Sequence, residues 1–139
     1  MWYNVDIIMK EVVFMCIAPI LSVHLPIADC ITNELSKLGM SNNTKGYHFA
    51  FYAIKLYITK PEIFNSLTKS VYPTIADEFS TTPQAVERLM RYSIENTFEY
   101  GDIDEIYGLF GDSISENKGK VTNGCFIKTI ANMIINKNR

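Results

Sequence analysis

Between Ser80 and Phe98 the chain reads Ser-Thr-Thr-Pro-Gln-Ala-Val-Glu-Arg-Leu-Met-Arg-Tyr-Ser-Ile-Glu-Asn-Thr-Phe, an order that few backbone states can satisfy. Val86, Leu89, Met90, Ile94 and Phe98 recur at spacings of three and four, the period of an α-helix. Gln84, Glu87, Arg88, Arg91 and Glu95 fall on the opposite face. Thr82 precedes a proline, which pushes its backbone into the extended region that an N-cap needs, and Pro83 suits the first helical position. The spacing predicts one long helix ending near Tyr100-Gly101, docked by its oily side. Its other side carries Gln, Glu and two Arg, the side chains that hydrogen-bond base edges.

The segment ahead of it strengthens that reading. Leu67, Val71, Ile75 and Phe79 recur every four residues across Ile63–Phe79, with Pro73 expected to kink or split the helix. Ser80-Thr81-Thr82 makes the connection, so the two helices together read as a helix-turn-helix. Upstream, Asp29 is expected to cap a helix carrying Ile31, Leu35 and Leu38, closed at Gly39. Tyr47–Ile58 is apolar nearly all round and belongs in the middle of a domain. Lys60-Pro61 closes it. Downstream, Asp102–Leu109 reads as a short helix ending at Gly111. A polar loop with Lys118 and Lys120 follows, then a last helix capped by Asn123 with Phe126, Ile127, Ile130 and Ile134 inward. The fold class is all-α, with about six helices containing the helix-turn-helix. Residues 28–139 form the domain, and residues 1–27 are an apolar extension whose structure the pattern leaves open.

Charge and composition exclude several classes of function. With 13 basic and 15 acidic residues the net charge is −2, less basic than the usual nucleic-acid binder, so any DNA surface has to come from local placement of charge. Cys16, Cys30 and Cys125 are scattered and odd in number, which argues against disulfide or zinc frameworks. The apolar run over Val12–Val23 is interrupted by Pro19 and is shorter than the roughly 20 residues a spanning helix requires. It lacks the basic start of a signal peptide. A cytoplasmic protein without a membrane partner is the expectation. His24 and His48 have no ligand at metal spacing, and Asp102, Asp104 and Glu105 lack the glycine and distal glutamate of a calcium loop. Neither metal nor cofactor is expected. Tyr47, Phe49, Phe51, Tyr52 and Tyr57 are read as core packing in preference to a base-stacking platform. No nucleophile–base set or phosphate loop stands out, so no enzymatic activity is expected.

A specific resemblance runs through the same residues. Lys45-Gly46-Tyr47, Leu67-Thr68-Lys69, Val71-Tyr72-Pro73-Thr74-Ile75-Ala76, Thr81-Thr82, Val86-Glu87-Arg88, Arg91, Gly101-Asp102-Ile103-Asp104, Leu109-Phe110-Gly111, Thr122-Asn123 and Phe126-Ile127 occur in that order. From about Cys30 to Ile134 the chain resembles the DNA-binding effector domain of the stage-zero sporulation master regulator of endospore-forming Firmicutes. The resemblance implies a six-helix domain that is like winged-helix regulators only in function. It also implies a recognition helix over Pro83–Tyr100 and binding to a short, AT-flanked operator box, often as tandem domains. Regulators of that family usually begin with a phosphorylatable receiver, and residues 1–29 do not resemble one. Ala85 stands where the family commonly has a basic residue and Tyr92 where it commonly has histidine.

The expected base-reading residues are Gln84, Glu87, Arg88 and Arg91, the last three matching the family's positions. The expected phosphate contacts are Lys45, Lys69, Thr82, Tyr92, Lys118 and Lys120. The bland account of the same helix face is a solvated surface with Glu87–Arg91 and Arg91–Glu95 pairs at four-residue spacing. The expected partner is double-stranded promoter DNA, with RNA polymerase and a second or tandem copy as further candidates. The rival reading is a degenerate paralogue that has lost DNA binding and acts as a protein–protein interaction module.

Overall fold

Tyr47 to Leu56 offers apolar side chains on almost every side, and the rest of the domain is wrapped around it. A computed structural model describes residues 27–114 and 119–137. Among these residues there are six α-helices and no strand: α1 (Ile27–Lys37), α2 (Lys45–Thr59), α3 (Tyr72–Glu78), α4 (Pro83–Tyr100), α5 (Ile103–Phe110) and α6 (Asn123–Lys137). The all-α expectation holds. Helix α2 packs on α4, α6, α1 and α3. Tyr47, Phe49, Ala50, Ala53, Ile54 and Leu56 are buried along it, and Phe51, Tyr52 and Tyr57 lie partly buried against the same core. The aromatic density of α2 is therefore packing; each large side chain fully buried there contributes about 1.5–3 kcal/mol of transfer free energy. His48 is exposed, its ring edge-on to Tyr47 at 5.4 Å.

Two close backbone approaches need glycine. Gly46, in the first turn of α2, lies against α4. A Cβ there would sit 2.2 Å from the Leu89 carbonyl oxygen and 2.1 Å from Ser93 Oγ. Gly39, just past α1, has φ +81°, and its neighbourhood is shared with Gly101, whose absent Cβ would fall 2.3 Å from the Leu38 carbonyl oxygen. The ends of α1 and α4 are thus joined through backbone, with the Asp102 N–H donating to the Leu38 carbonyl at 3.0 Å.

The stretch expected as one kinked helix over Ile63–Phe79 is built in pieces. A 3₁₀ turn over Pro61–Asn65 ends at extended Ser66, a π-helical turn spans Leu67–Val71, and α3 follows. Ser66 Oγ accepts the Lys69 N–H at 3.1 Å. The Val71 and Tyr72 N–H groups reach back five residues, to the carbonyls of Ser66 and Leu67. Pro73 is the cause. It has no N–H to give, and its ring needs clearance from the carbonyl four residues earlier, which the widened turn supplies. Helix α3 closes with the Phe79 N–H on the Ile75 carbonyl and the Thr81 N–H on the Ala76 carbonyl, with Ser80 left-handed at φ +53° between them. The rings of Phe49 and Tyr52 meet Phe79 edge-on at 5.3 and 5.6 Å, fastening this turn to α2.

Caps were readable in part. Thr82 Oγ1 accepts the Ala85 N–H at 3.1 Å, as the sequence suggests, and Asp102 Oδ1 accepts from the Asp104 and Glu105 N–H groups. Two expectations need correction. Asp29 lies inside the first turn of α1, which begins at Ile27, so it sits too far in to be the cap. Asn123 does not cap α6: Thr122 does, through its hydroxyl to the Cys125 N–H at 3.2 Å, while Asn123 turns inward. Residues 1–26, and with them the expected apolar extension, lie outside the described residues apart from its last position.

Candidate nucleic-acid interface

The polar face of α4 stands outward because its other face is taken up by the core. Val86, Met90 and Ile94 are fully buried, and Leu89 and Phe98 are partly buried against them. Thr97 completes the stripe. It is buried because its hydroxyl donates to the Ser93 carbonyl at 2.7 Å and leaves no polar atom unsatisfied. At the far end Phe98, Phe110 and Phe126 join α4 to α5 and α6, with Phe110 and Phe126 stacked at 5.4 Å.

On the outer face Gln84, Arg88 and Tyr92 form one exposed line at four-residue spacing. Arg88 is exposed and makes no ion pair with any described residue. Beside this line runs a second one, Glu87–Arg91–Glu95. Arg91 Nε donates to Glu87 Oε1 at 3.0 Å, and Arg91 Nη1 lies 3.8 Å from Glu95 Oε1. The Arg91 guanidinium also sits 5.1 Å from the centre of the Tyr92 ring. Its pKa is raised above the ordinary arginine value, first by the hydrogen bond to Glu87 and then by that carboxylate's charge. Both pairs foreseen in the bland account of this face, Glu87–Arg91 and Arg91–Glu95, are therefore present.

Other elements bring further cations to the two flanks of α4. Lys45, at the start of α2, and Tyr92 line one cleft of about 320 Å³ with Gly46, Leu89 and Ser93. Thr44 Oγ1 lies 3.2 Å from Ser93 Oγ and ties the preceding loop to α4. On the opposite flank a cleft of about 520 Å³ lies among Leu67, Tyr72, Glu87, Arg91, Lys120 and the start of α6. Lys120 reaches back to α4 and donates to Glu95 Oε1. Lys69 stands exposed on the π-helical turn whose Leu67 lines that cleft. The Thr82 hydroxyl oxygen accepts the cap bond, which leaves its O–H as a donor at the N-terminus of α4. Lys118 falls outside the described residues.

Two participants were not legible as such in the sequence. Asn123 Nδ2 donates to Tyr72 Oη at 3.1 Å and to the Glu87 carbonyl at 3.3 Å, joining α6, α3 and α4 behind the polar face. Burial pushes the Tyr72 phenol above its ordinary pKa, partly offset by the Asn123 hydrogen bond. The residues were visible, but nothing in their spacing links positions 72, 87 and 123.

Among the described residues no group of three His, Cys, Asp or Glu could hold a metal ion, and no helix is long and apolar enough to cross a membrane. Residues 31–134 match the sequence model of the family described as sporulation initiation factor Spo0A C terminal. That stretch contains the helix-turn-helix and both flanks of α4, and it is more than half of the chain. The chain thus belongs to the Spo0A C-terminal family of DNA-binding effector domains of sporulation regulators.

Proposed function

We propose that this chain is a sequence-specific DNA-binding transcription regulator that lays α4 in the major groove of a promoter operator. Gln84, Glu87, Arg88 and Arg91 are the base-reading set, and Lys45, Lys69, Thr82, Tyr92, Lys118 and Lys120 hold the phosphate backbone. The observation that carries the reading is Arg88. It is exposed in mid-helix on a buried-stripe helix and is free of any described carboxylate, so it can give two parallel hydrogen bonds to guanine O6 and N7. Lys45 on one flank of α4 and Lys69 and Lys120 on the other support contact with the two strands bordering the groove. Tandem copies on adjacent boxes and contact with RNA polymerase are the assembly partners proposed with it. The residues matched to the family fill most of the chain, and the activity proposed is that of the effector domain.

One observation favours a second reading. Arg91 and Lys120 are both engaged by carboxylates of α4, which suits a relative that has given up DNA for protein partners. Fluorescence anisotropy separates the two. Labelled duplexes, one carrying a family-type operator box and one scrambled, are titrated with protein at about 0.05 and 0.2 M salt. The regulator reading expects tighter binding to the operator, weakening steeply with salt. Absence of binding to either duplex at low salt would overturn the regulator reading and support the interaction module.

A further inference from the structure

Glu95 has no part in the base-reading set, yet both engaged cations of the interface converge on it. Its Oε1 accepts from Lys120 and lies 3.8 Å from Arg91 Nη1. Lys120 comes from a segment 25 residues away in sequence, so the contact is tertiary, and Glu95 stands two turns further along α4 than Glu87, about 12 Å by helix rise. The side chains of Arg91, Glu95 and Lys120 retain 43, 31 and 28% of their exposure, so the cluster is reached by water. Ion pairs at such exposure are weak and exchange readily for another anion. By contrast Lys45, Lys69 and Arg88 pair with no described carboxylate. The described cations of this surface thus fall into two groups: three open, and two held by a carboxylate on the recognition helix itself.

We propose that Glu95 is an electrostatic latch, which holds Lys120 back from the DNA backbone and so sets how many phosphates the domain neutralises without setting which bases it prefers. This rests on the DNA-binding reading above. When a duplex arrives, a backbone phosphate competes with Glu95 for Lys120, and the carboxylate, once displaced, faces a polyanion. The latch therefore lowers affinity for any duplex alike. A chain with a net charge of −2 would use it to stay off bulk DNA, because non-specific binding is governed almost wholly by the count of phosphate contacts.

The test compares wild type, Glu95→Gln, Lys120→Ala, the double variant and Glu99→Gln on operator and scrambled duplexes across a salt series. Glu99 is an exposed carboxylate one turn further along, paired with no described residue, and serves as the charge control. Thermal melts establish that each variant is folded; the substituted side chains all lie outside the core. Glu95→Gln should bind both duplexes roughly three- to tenfold more tightly at low salt, with the slope of log K against log salt steeper by about one phosphate contact. Lys120→Ala alone should weaken binding to both duplexes alike and lower the salt slope, and in the double variant part of the Glu95→Gln gain should disappear. Glu99→Gln should leave the slope unchanged. Unchanged or weaker binding by Glu95→Gln overturns the latch, as does a gain confined to the operator, an undiminished gain in the double variant, or an equal gain in Glu99→Gln. A wild-type protein that binds no duplex removes the DNA reading itself, a different failure from one in which wild type binds and Glu95→Gln gains nothing.

Discussion

At the scale of single residues, α4 assigns different work to its two arginines. Arg88 is open to solvent and unpaired among the described residues, whereas Arg91 is held on one edge by Glu87 and approached on another by Glu95. Arg88→Ala is expected to cost about 1–3 kcal/mol on the operator and to relax preference at one base pair, measured against a panel of single-base operator variants. Lys69→Ala should weaken all duplexes alike and reduce the salt slope by about one contact. If Arg88→Ala lost equal affinity for operator and scrambled DNA, the base-reading assignment would be wrong. Glycine 46 makes a prediction of another kind. A methyl group there meets the Leu89 carbonyl, which is backbone and cannot rotate aside. Gly46→Ala should destabilise the fold by about 2–3 kcal/mol in urea unfolding, by forcing α2 away from α4.

At the scale of elements, the helix-turn-helix shows how proline and a left-handed residue shape a joint. Pro73 is tolerated because the preceding turn widens into π-helical bonding, and the reversal into α4 passes through Ser80 at φ +53°. A serine in the left-handed region bears a steric penalty that glycine escapes, while glycine loses more entropy on folding. The balance favours glycine, so Ser80→Gly is expected to raise stability by about 0.5–1 kcal/mol. Thermal unfolding at fixed pH reads this directly, and a lowered midpoint would show that the serine is not strained. The legibility of these elements follows from their chemistry. Thr82-Pro83 announced the start of α4 because both residues act on their own backbone. The division of Ile63–Phe79 was hidden, since a four-residue apolar repeat is the same whether the turn beneath it is α-helical or widened.

At the scale of the whole molecule, the position of α4 depends on bonds that cross from helix to helix. The Tyr72 hydroxyl, the Asn123 amide and the Glu87 carbonyl link α3, α6 and α4. Tyr72→Phe leaves Asn123 with one partner fewer in a buried site and should cost about 1 kcal/mol near neutral pH. The sign of its pH dependence follows from burial. The folded-state pKa of Tyr72 is raised above the ordinary tyrosine value of 10.0, so the neutral phenol is the form the fold favours. That stabilisation is complete below about pH 10 and is lost as pH rises through the folded pKa. Melting midpoints of wild type and Tyr72→Phe, compared between about pH 8 and 11, should therefore converge at the alkaline end. Parallel curves throughout would mean the phenol is not buried as described.

The family match and the structure bear out what ordered residues could announce: an all-α effector domain with one long helix over Pro83–Tyr100. That much was determined by sequence because helical period, capping and proline chemistry are local, and the apolar stripe of α4 carries its own direction. Tertiary structure alone decided which cations are free. Arg91 and Glu95 could be paired from their spacing, but Lys120 reaches Glu95 across a loop, and Asn123 faces the core when its position suggested a cap. Contacts between distant segments depend on how helices cross, and helix crossing is set by volume and close approach, as at Gly46 against Leu89, which no periodicity in the chain encodes.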